Sequence, residues 1–417
     1  MQGEVPVGWR REPLGQLGQF LKCQGGSKKD EVSAGVPVVR YGQIYTRYDT
    51  VIRSFYSFVS DRRASDYTPL KSGDVLFAGS GETLDEIGKA AVFLGQGPAH
   101  GSGDLILLRP SPAVDPLFLG YSVNSGDANG QKMRLGQGSS VFHISADRLA
   151  GLRIHVPPLS EQKKIAAILS SVDEAIQATQ AVIDQTRRVK EGLLQDLLTR
   201  GIGHTRFKQT GIGEIPEGWG VVDLRTLVLD ERPICYGILK PGGSVPGGVP
   251  VVKVKNIFGG QIDDTDLLLT DPVIDAAYRR SKLRPGDVLV TIRGSTGRVA
   301  VVPESLADAN ITQDTARLSI NPERAHRLFV YFALQSRRLQ RHIDRHTIGQ
   351  AVKGINIAEV RKVPLVLPSL AEQGLIVDVL SSNEDQIRRG MKTLSGLVAT
   401  KAGLLQDLLT GHVRVTP

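Results

Sequence analysis

The sequence predicts an α+β protein with two mixed, β-rich globular domains joined by two long, antiparallel, coiled-coil-like helices and duplicated with pseudo-twofold character. Three observations predict it. The first is an internal repeat at an offset of 211 residues. PPLSEQKKIAAILSSVDEAI from Pro157 matches PSLAEQGLIVDVLSSNEDQI from Pro368, and GLLQDLLTRG from Gly192 matches GLLQDLLTGH from Gly403. The second is the alternation of three- and four-residue apolar spacings inside both copies, the signature of a helical seam. The third is the set of short, β-branched or apolar runs that precede each copy, bounded by Gly, Pro, Asp and Ser.

In chain order, the first domain (1–156) carries the strand-like runs PVVRYGQI, DVLFAG, AAVFL and DLILLR, with a short helical stretch at Pro116–Ser125. A helical spacer (157–202) follows. Ser160, Glu161 and Gln162 after Pro157-Pro158 suit a helix start. Ile165, Leu169, Val172, Ile176, Ile183, Leu193 and Leu197 form its seam, interrupted by Thr179, Thr186 and Lys190. The second domain (203–367) offers PVVKVKNI, DVLVTI, RVAVV and ARLSI, then a helical stretch around Ala325–His342. The second spacer (368–417) has its seam at Ile376, Leu380, Ile387, Leu394, Leu397, Leu404 and Leu408, interrupted by Asn383, Gly390 and Lys401. Glycine is the expected stop at Gly201 and Gly411. About 40 residues at ~1.5 Å each give a rod of roughly 60 Å.

The repeat extends outward from the helices. VPVGW (5–9) matches IPEGW (215–219), GVPVVRYGQI matches GVPVVKVKNI, KSGDVLF matches RPGDVLV, and IGKAAVF matches TGRVAVV. Offsets there run from 209 to 213, as expected when loops change length and strands do not. A period near 210 residues is too long for a solenoid, so the duplication is of a whole domain-plus-helix unit.

Composition narrows the function classes. No run approaches the ~18 consecutive apolar residues of a membrane helix. The segment MQGEVPVGWRRE lacks the apolar core of a signal peptide. Two distant cysteines, Cys23 and Cys235, argue against a disulfide framework or zinc cluster and make a reducing cytoplasm the default. The net charge of +8 and pI near 9.4 suit a polyanionic partner. However, residues 1–150 carry 16 Lys and Arg against 15 Asp and Glu, and 213–360 carry 19 against 17. Contact with a polyanion must therefore come from local placement of charge.

The repeated helix sequences, together with IPEGW and LRPGDVLVTIRGSTGRVAVV, resemble the specificity subunit of type I restriction–modification enzymes over essentially the whole chain. The resemblance implies that each globular domain is a target-recognition domain reading one half of a split, asymmetric site in double-stranded DNA. It implies that the helices set the spacing and dock methyltransferase (modification) subunits, and that a motor–nuclease (restriction) subunit joins for cleavage. It also implies no cofactor and no catalytic residue in this chain, with S-adenosylmethionine, ATP and magnesium belonging to the partner subunits.

Two other function classes stand beside it. DVLFAGSGET (74–83) has the form of a glycine-rich S-adenosylmethionine loop of a DNA amino-methyltransferase. The equivalent DVLVTIRGSTG lacks the glycines at that distance, and the chain's sole Pro-Pro, at 157–158, opens a helix instead of gripping a flipped base. A two-headed protein-binding adaptor is the other class. Gly88-Lys89-Ala90 does not complete a nucleotide-triphosphate loop, since Thr83 and Ala90 replace the required Gly and Ser/Thr. His342 and His346 are spaced i, i+4 without an evident third ligand, so no metal is expected.

Base and phosphate recognition needs Arg, Lys, Asn, Gln and small polar residues on loops. In the first domain, Arg40, Tyr41, Gln43, Arg47 and Arg53 interleave basic and aromatic side chains where the other copy differs. Lys89 is the counterpart of Arg298. In the second domain, Lys253, Lys255 and Asn256 occupy the matching strand, and Arg293, Ser295, Thr296 and Arg298 form a glycine-flanked basic turn. Gln137 with Ser139, and Gln350 with Lys353, lie in the loops before the last strand of each domain.

Overall fold

The computed structural model describes residues 5–26, 28–84, 86–138, 142–349 and 353–415. The chain forms two units, Met1–Gln180 with Lys392–Pro417, and Ala181–Met391. Each therefore takes one globular domain, part of one long helix (Leu159–Leu197) and part of the other (Leu370–Thr410).

In the first unit a five-stranded sheet runs in the order Gly18–Lys22, Leu105–Pro110, Val75–Ala78, Ala90–Phe93, Val51–Ile52. Its first three junctions are antiparallel and the last is parallel. A second sheet places Val36–Val39 between Ser57–Val59, antiparallel, and His100–Gly101, parallel. The central strands bury both faces: Val75 and Phe77 meet one apolar cluster and Leu76 and Ala78 another, and Ala90–Phe93 divides between the same two clusters. That explains why these strands read as continuous apolar runs without alternation.

The second unit repeats this plan. Cys235–Tyr236, Thr315–Leu318, Val288–Thr291 and Val299–Val301 form an antiparallel sheet, and Val249–Val252 lies between Leu268–Thr270 and Asn310–Ile311. In both units the strand before the long helix pairs with an early strand: Arg153–Val156 with Arg10–Pro13, and Pro364–Leu367 with Gly220–Asp223. The expected single looped sheet is thus two larger sheets per unit, accompanied by two-stranded pairs, with both parallel and antiparallel pairings.

The helical stretches also differ in detail. The stretch expected around 325–342 is two helices, Arg327–Gln335 and Arg337–Arg345, broken at Ser336, whose hydroxyl caps the second by accepting from the Leu339 N–H. The first unit matches this with Pro116–Val123 and a second helix, Gly126–Leu135. The sequence of the latter, GDANGQKMRL, has too little apolar periodicity and too many glycines to announce itself.

Within each unit the two long-helix segments run antiparallel and are pinned by one polar knot. In the first unit the Tyr121 hydroxyl donates to Asp173 at 2.6 Å, and Lys401 pairs with Asp173 at 2.6 Å. In the second, Tyr331 donates to Glu384 at 2.9 Å and Lys190 pairs with Glu384 at 2.7 Å. The lysines that interrupt both seams are therefore structural members of the helix pair. Gly390 has a similar reason: a β-carbon there would come within 2.8 Å of Ile183 Cγ1. The seam near the end of the first long helix is offset by one residue from expectation, because Leu194 and Leu198 are the buried pair while Leu193 and Leu197 are half-buried.

Asp173→Ala should strip the half-buried Lys401 ammonium of one of its two carboxylates and leave the buried Tyr121 hydroxyl without an acceptor. The expected loss is about 3 kcal/mol, the low end for a broken buried pair, because Asp49 still faces Lys401 at 2.6 Å. Chemical denaturation followed by Trp9 fluorescence in a Trp219→Phe background reads the first unit, since the chain has only two tryptophans.

Candidate nucleic-acid interface

In the first unit, the strand Val36–Val39 ends at Arg40 and turns into the short helix Tyr41–Thr46. Gln43 builds that turn: its Oε1 accepts from the Arg40 N–H at 3.1 Å, and its Nε2 donates to Ser57 Oγ at 2.8 Å. Arg40 lies 3.8 Å from Glu31, and half-buried Tyr41 packs beside Tyr45. Arg47 is exposed and lies 5.5 Å from the centre of the Tyr56 ring, which in turn leans on Tyr48. Arg53 is exposed, 3.9 Å from Glu174 of the first long helix.

Lys89 is half-buried, and its ammonium donates to the Tyr48 carbonyl at 2.9 Å. Burial lowers its pKa, with Asp49 opposing that shift. The loop holding Gln137 meets the turn before Lys89. Gln137 exchanges backbone hydrogen bonds with His143, while Ser80–Gly81 pairs with Phe142–His143 and Ser80 Oγ lies 2.9 Å from His143 Nδ1. Ser139 lies outside the described residues.

The second unit repeats the turn with different chemistry. Asn256 replaces Gln43, accepting from the Lys253 N–H at 3.0 Å and donating to the Asp266 carbonyl at 3.2 Å. It is only 3% exposed, so its amide serves the fold. Lys255 is exposed and paired with Asp266 at 2.6 Å. Arg298 takes the part of Lys89: it donates to the Ile257 carbonyl at 3.0 Å and lies 5.8 Å from the ring centre of exposed Phe258.

The turn 293–298 and the loop before the last strand converge here too. The Gly294 N–H donates to the Lys353 carbonyl at 2.9 Å, and Arg293 bridges Gly354. Arg293, Ser295 and Lys353 are exposed, and Thr296 is half-buried. Gln350 lies outside the described residues. The structure therefore joins two predicted loops in each unit and divides the predicted residues. Gln43, Lys89, Asn256 and Arg298 are tied to the scaffold, whereas Arg47, Arg53, Gln137, Lys255, Arg293, Ser295 and Lys353 present exposed side chains.

Residues that the sequence reading missed border the same surface. Gln313 lies 3.4 Å from the Arg293 guanidinium, and its N–H donates to the Ile238 carbonyl, which brings exposed Tyr236 and Leu239 alongside. No local motif marks them, and only the pairing of Cys235–Tyr236 with Thr315–Leu318 places them there. His342 and His346 stack with ring centres 4.2 Å apart. Among the described residues no group of three His, Cys, Asp or Glu side chains could hold a metal, and no helix is long and apolar enough to cross a membrane.

Several comparisons bear on this geometry. Residues 6–186 and 246–393 match the family model of the type I restriction modification DNA specificity domain. The chain is 26% identical over 423 residues to the type I restriction enzyme MjaVIII specificity subunit of Methanocaldococcus jannaschii, covering 99% of this chain and 94% of that one. It is 29% identical over 294 residues to the EcoBI specificity subunit of Escherichia coli, covering 66% of this chain and 60% of that one. The fold is similar to that of the type I restriction-modification system S subunit from M. genitalium, with a TM-score of 0.60 at 15% identity over 100% of this chain and 99% of that chain. With the family model matched in both halves, over most of its length, the chain belongs to the type I restriction modification DNA specificity family.

Proposed function

We propose that this chain is the sequence-reading subunit of a type I restriction–modification complex and binds a bipartite, asymmetric site in double-stranded DNA. In this reading, residues 1–156 and 203–367 each recognise one half-site. Residues 157–202 and 368–417 fix the spacing and dock two methyltransferase subunits, and a motor–nuclease subunit joins for cleavage. Methyl transfer from S-adenosylmethionine and the ATP- and magnesium-dependent steps fall to those partners, in the cytoplasm.

One observation carries the reading beyond the family: the same scaffold occurs twice, with bonds that close the turns onto the backbone kept and exposed loop side chains changed. Lys89 and Arg298 both tie the reading turn to the backbone, at Tyr48 and Ile257. The exposed residues near them, Arg47 over Tyr56 in one unit and Arg293 beside Gln313 in the other, have no such correspondence. Arg and Gln are the side chains that read guanine and adenine edges in the major groove, and small residues such as Ser295 reach phosphates. Two heads of unlike chemistry on one frame suit two unlike half-sites.

Co-purification with the products of neighbouring genes, followed by sequencing of methylated bases, should return a split motif of two unlike halves at fixed separation. Methylation at one unsplit site, or by this chain alone, would refute the reading. Within DNA binding, Arg293→Ala and Lys353→Ala should each reduce the slope of log K against log salt by about 1 while leaving thermal stability unchanged. Asn256→Ala should do the opposite: it keeps the slope and costs on the order of 1–3 kcal/mol of stability, because it strips the Lys253 N–H and the Asp266 carbonyl of their partner. A salt-insensitive interaction would point to a protein partner instead.

A further inference from the structure

The turn that approaches DNA in each unit is held from behind by one side chain, and the two units use different ones. In the first unit, Lys132 of the helix Gly126–Leu135 donates from Nζ to the Gly88 carbonyl at 2.8 Å. In the second, Gln340 of the helix Arg337–Arg345 donates from Nε2 to the Gly297 carbonyl at 2.9 Å. The backbone around the two turns matches. The Ala78 N–H bonds to the Lys89 carbonyl as the Thr291 N–H bonds to that of Arg298. Gly88 and Gly297 have φ of 63° and 83°, where side chains are disfavoured. A β-carbon would strike Lys132 Cδ at 2.8 Å in one and Gln340 Oε1 at 2.6 Å in the other.

The difference is charge. Lys132 is 2% exposed, and among the described residues the charge that acts on its Nζ is that of Lys89, with no carboxylate beside it. Of the neighbouring charged groups, Glu86 turns its carboxylate to the Glu82 and Thr83 N–H groups, and Asp127 accepts from Gln131. Arg148 donates to the Leu135 carbonyl, and the cation acting on Lys132 is Lys89. Burial first, and the Lys89 charge second, push the Lys132 pKa down to about 7. A neutral amine still donates to the Gly88 carbonyl, so the clamp survives loss of the proton. Among the described residues the ammonium has no counter-charge, and a phosphate arriving at the turn next to Lys89 would bring one near.

We infer that the first unit takes up a proton at Lys132 when it binds DNA, whereas the second unit, clamped by neutral Gln340, does not. This rests on the DNA-facing assignment of the two turns. Linkage fixes the sign: if the bound state holds the proton more tightly, affinity is highest below the free-state pKa and falls as pH rises through it, by up to tenfold per unit.

The test is binding of mixed-sequence duplex DNA by the full chain, with its co-purifying partners, across pH 6 to about 9 at fixed salt. Lys132→Gln, which installs the second unit's clamp, and Lys132→Met, which keeps the volume, are run in parallel. Titration calorimetry in two buffers of different ionisation enthalpy gives proton uptake directly. Expected are a fall in wild-type affinity above pH 7, proton uptake on binding, and a flatter profile with less uptake in both variants. His143, beside the same turn, is present in all three proteins and cancels in the comparison. If the variants bind with the wild-type pH profile and proton uptake, the inference is overturned and the DNA reading stands. If the wild type shows no salt-dependent DNA binding, both fall together.

Discussion

The interaction on which the rest depends is the one made by the Glu-Gln pair at the start of each long helix. Glu161 is almost fully buried, and a carboxylate there is tolerable only if its oxygens are filled. They accept from the Trp9 indole at 3.1 Å, from the Arg414 guanidinium at 2.9 Å and from the Val415 N–H. Arg414 first, then the Trp9 hydrogen bond, hold this carboxyl below its usual range against the opposing effect of burial. In the second unit Glu372 accepts from Trp219 at 2.9 Å, His204 at 2.8 Å and the Ile202 N–H. Each carboxylate, Glu161 buried and Glu372 half-buried, thus gathers three segments: the early Trp, the start of one long helix, and the residues that follow the other.

The adjacent glutamine fixes the helix to the domain. Gln162 accepts from the Asp115 N–H and donates to the Pro157 carbonyl, and Gln373 accepts from His326 and donates to Pro368 in the same way. Because the strand just before each helix closes a pair with an early strand of its unit, helix direction and sheet edge are set together. The Tyr–carboxylate–Lys knot farther along then fixes register between the helix segments. Apolar residues alone, on a seam where Leu194 and Leu198 displace Leu193 and Leu197, would leave that register free to slip by one position.

This explains what could be read from the chain. The duplication exposed the scaffold because buried polar groups allow few substitutes: Glu-Gln, the Trp of VPVGW and IPEGW, and the Gly-Asp of KSGDVLF and RPGDVLV recur. That aspartate is buried, Asp74 with Arg109 and Asp287 with Arg232, and accepts from the N–H three residues earlier in both units. The strands were legible from their apolar runs, but their division into two sheets was not, since pairing is set by contacts far apart in sequence. The helix Gly126–Leu135 was hidden for a local reason, its poor intrinsic propensity, and tertiary packing overrides it.

Of the candidate interface, the sequence made legible only the loops that converge. Residue type suggested that Asn256, Gln43, Lys89 and Arg298 should face a ligand, because amide and cationic side chains do so. The same hydrogen-bonding capacity suits them to closing turns from inside, and that is where they are used. The distinction follows from comparing the two units atom by atom. A side chain whose partner is a backbone carbonyl in both units belongs to the frame, however basic it is. A side chain such as Arg293 or Arg47, exposed and without an equivalent, is free to differ between half-sites at little cost to the fold. Lys132 and Gln340 fall between these classes: the contact with the turn is shared between the units, and the charge of the side chain that makes it is not.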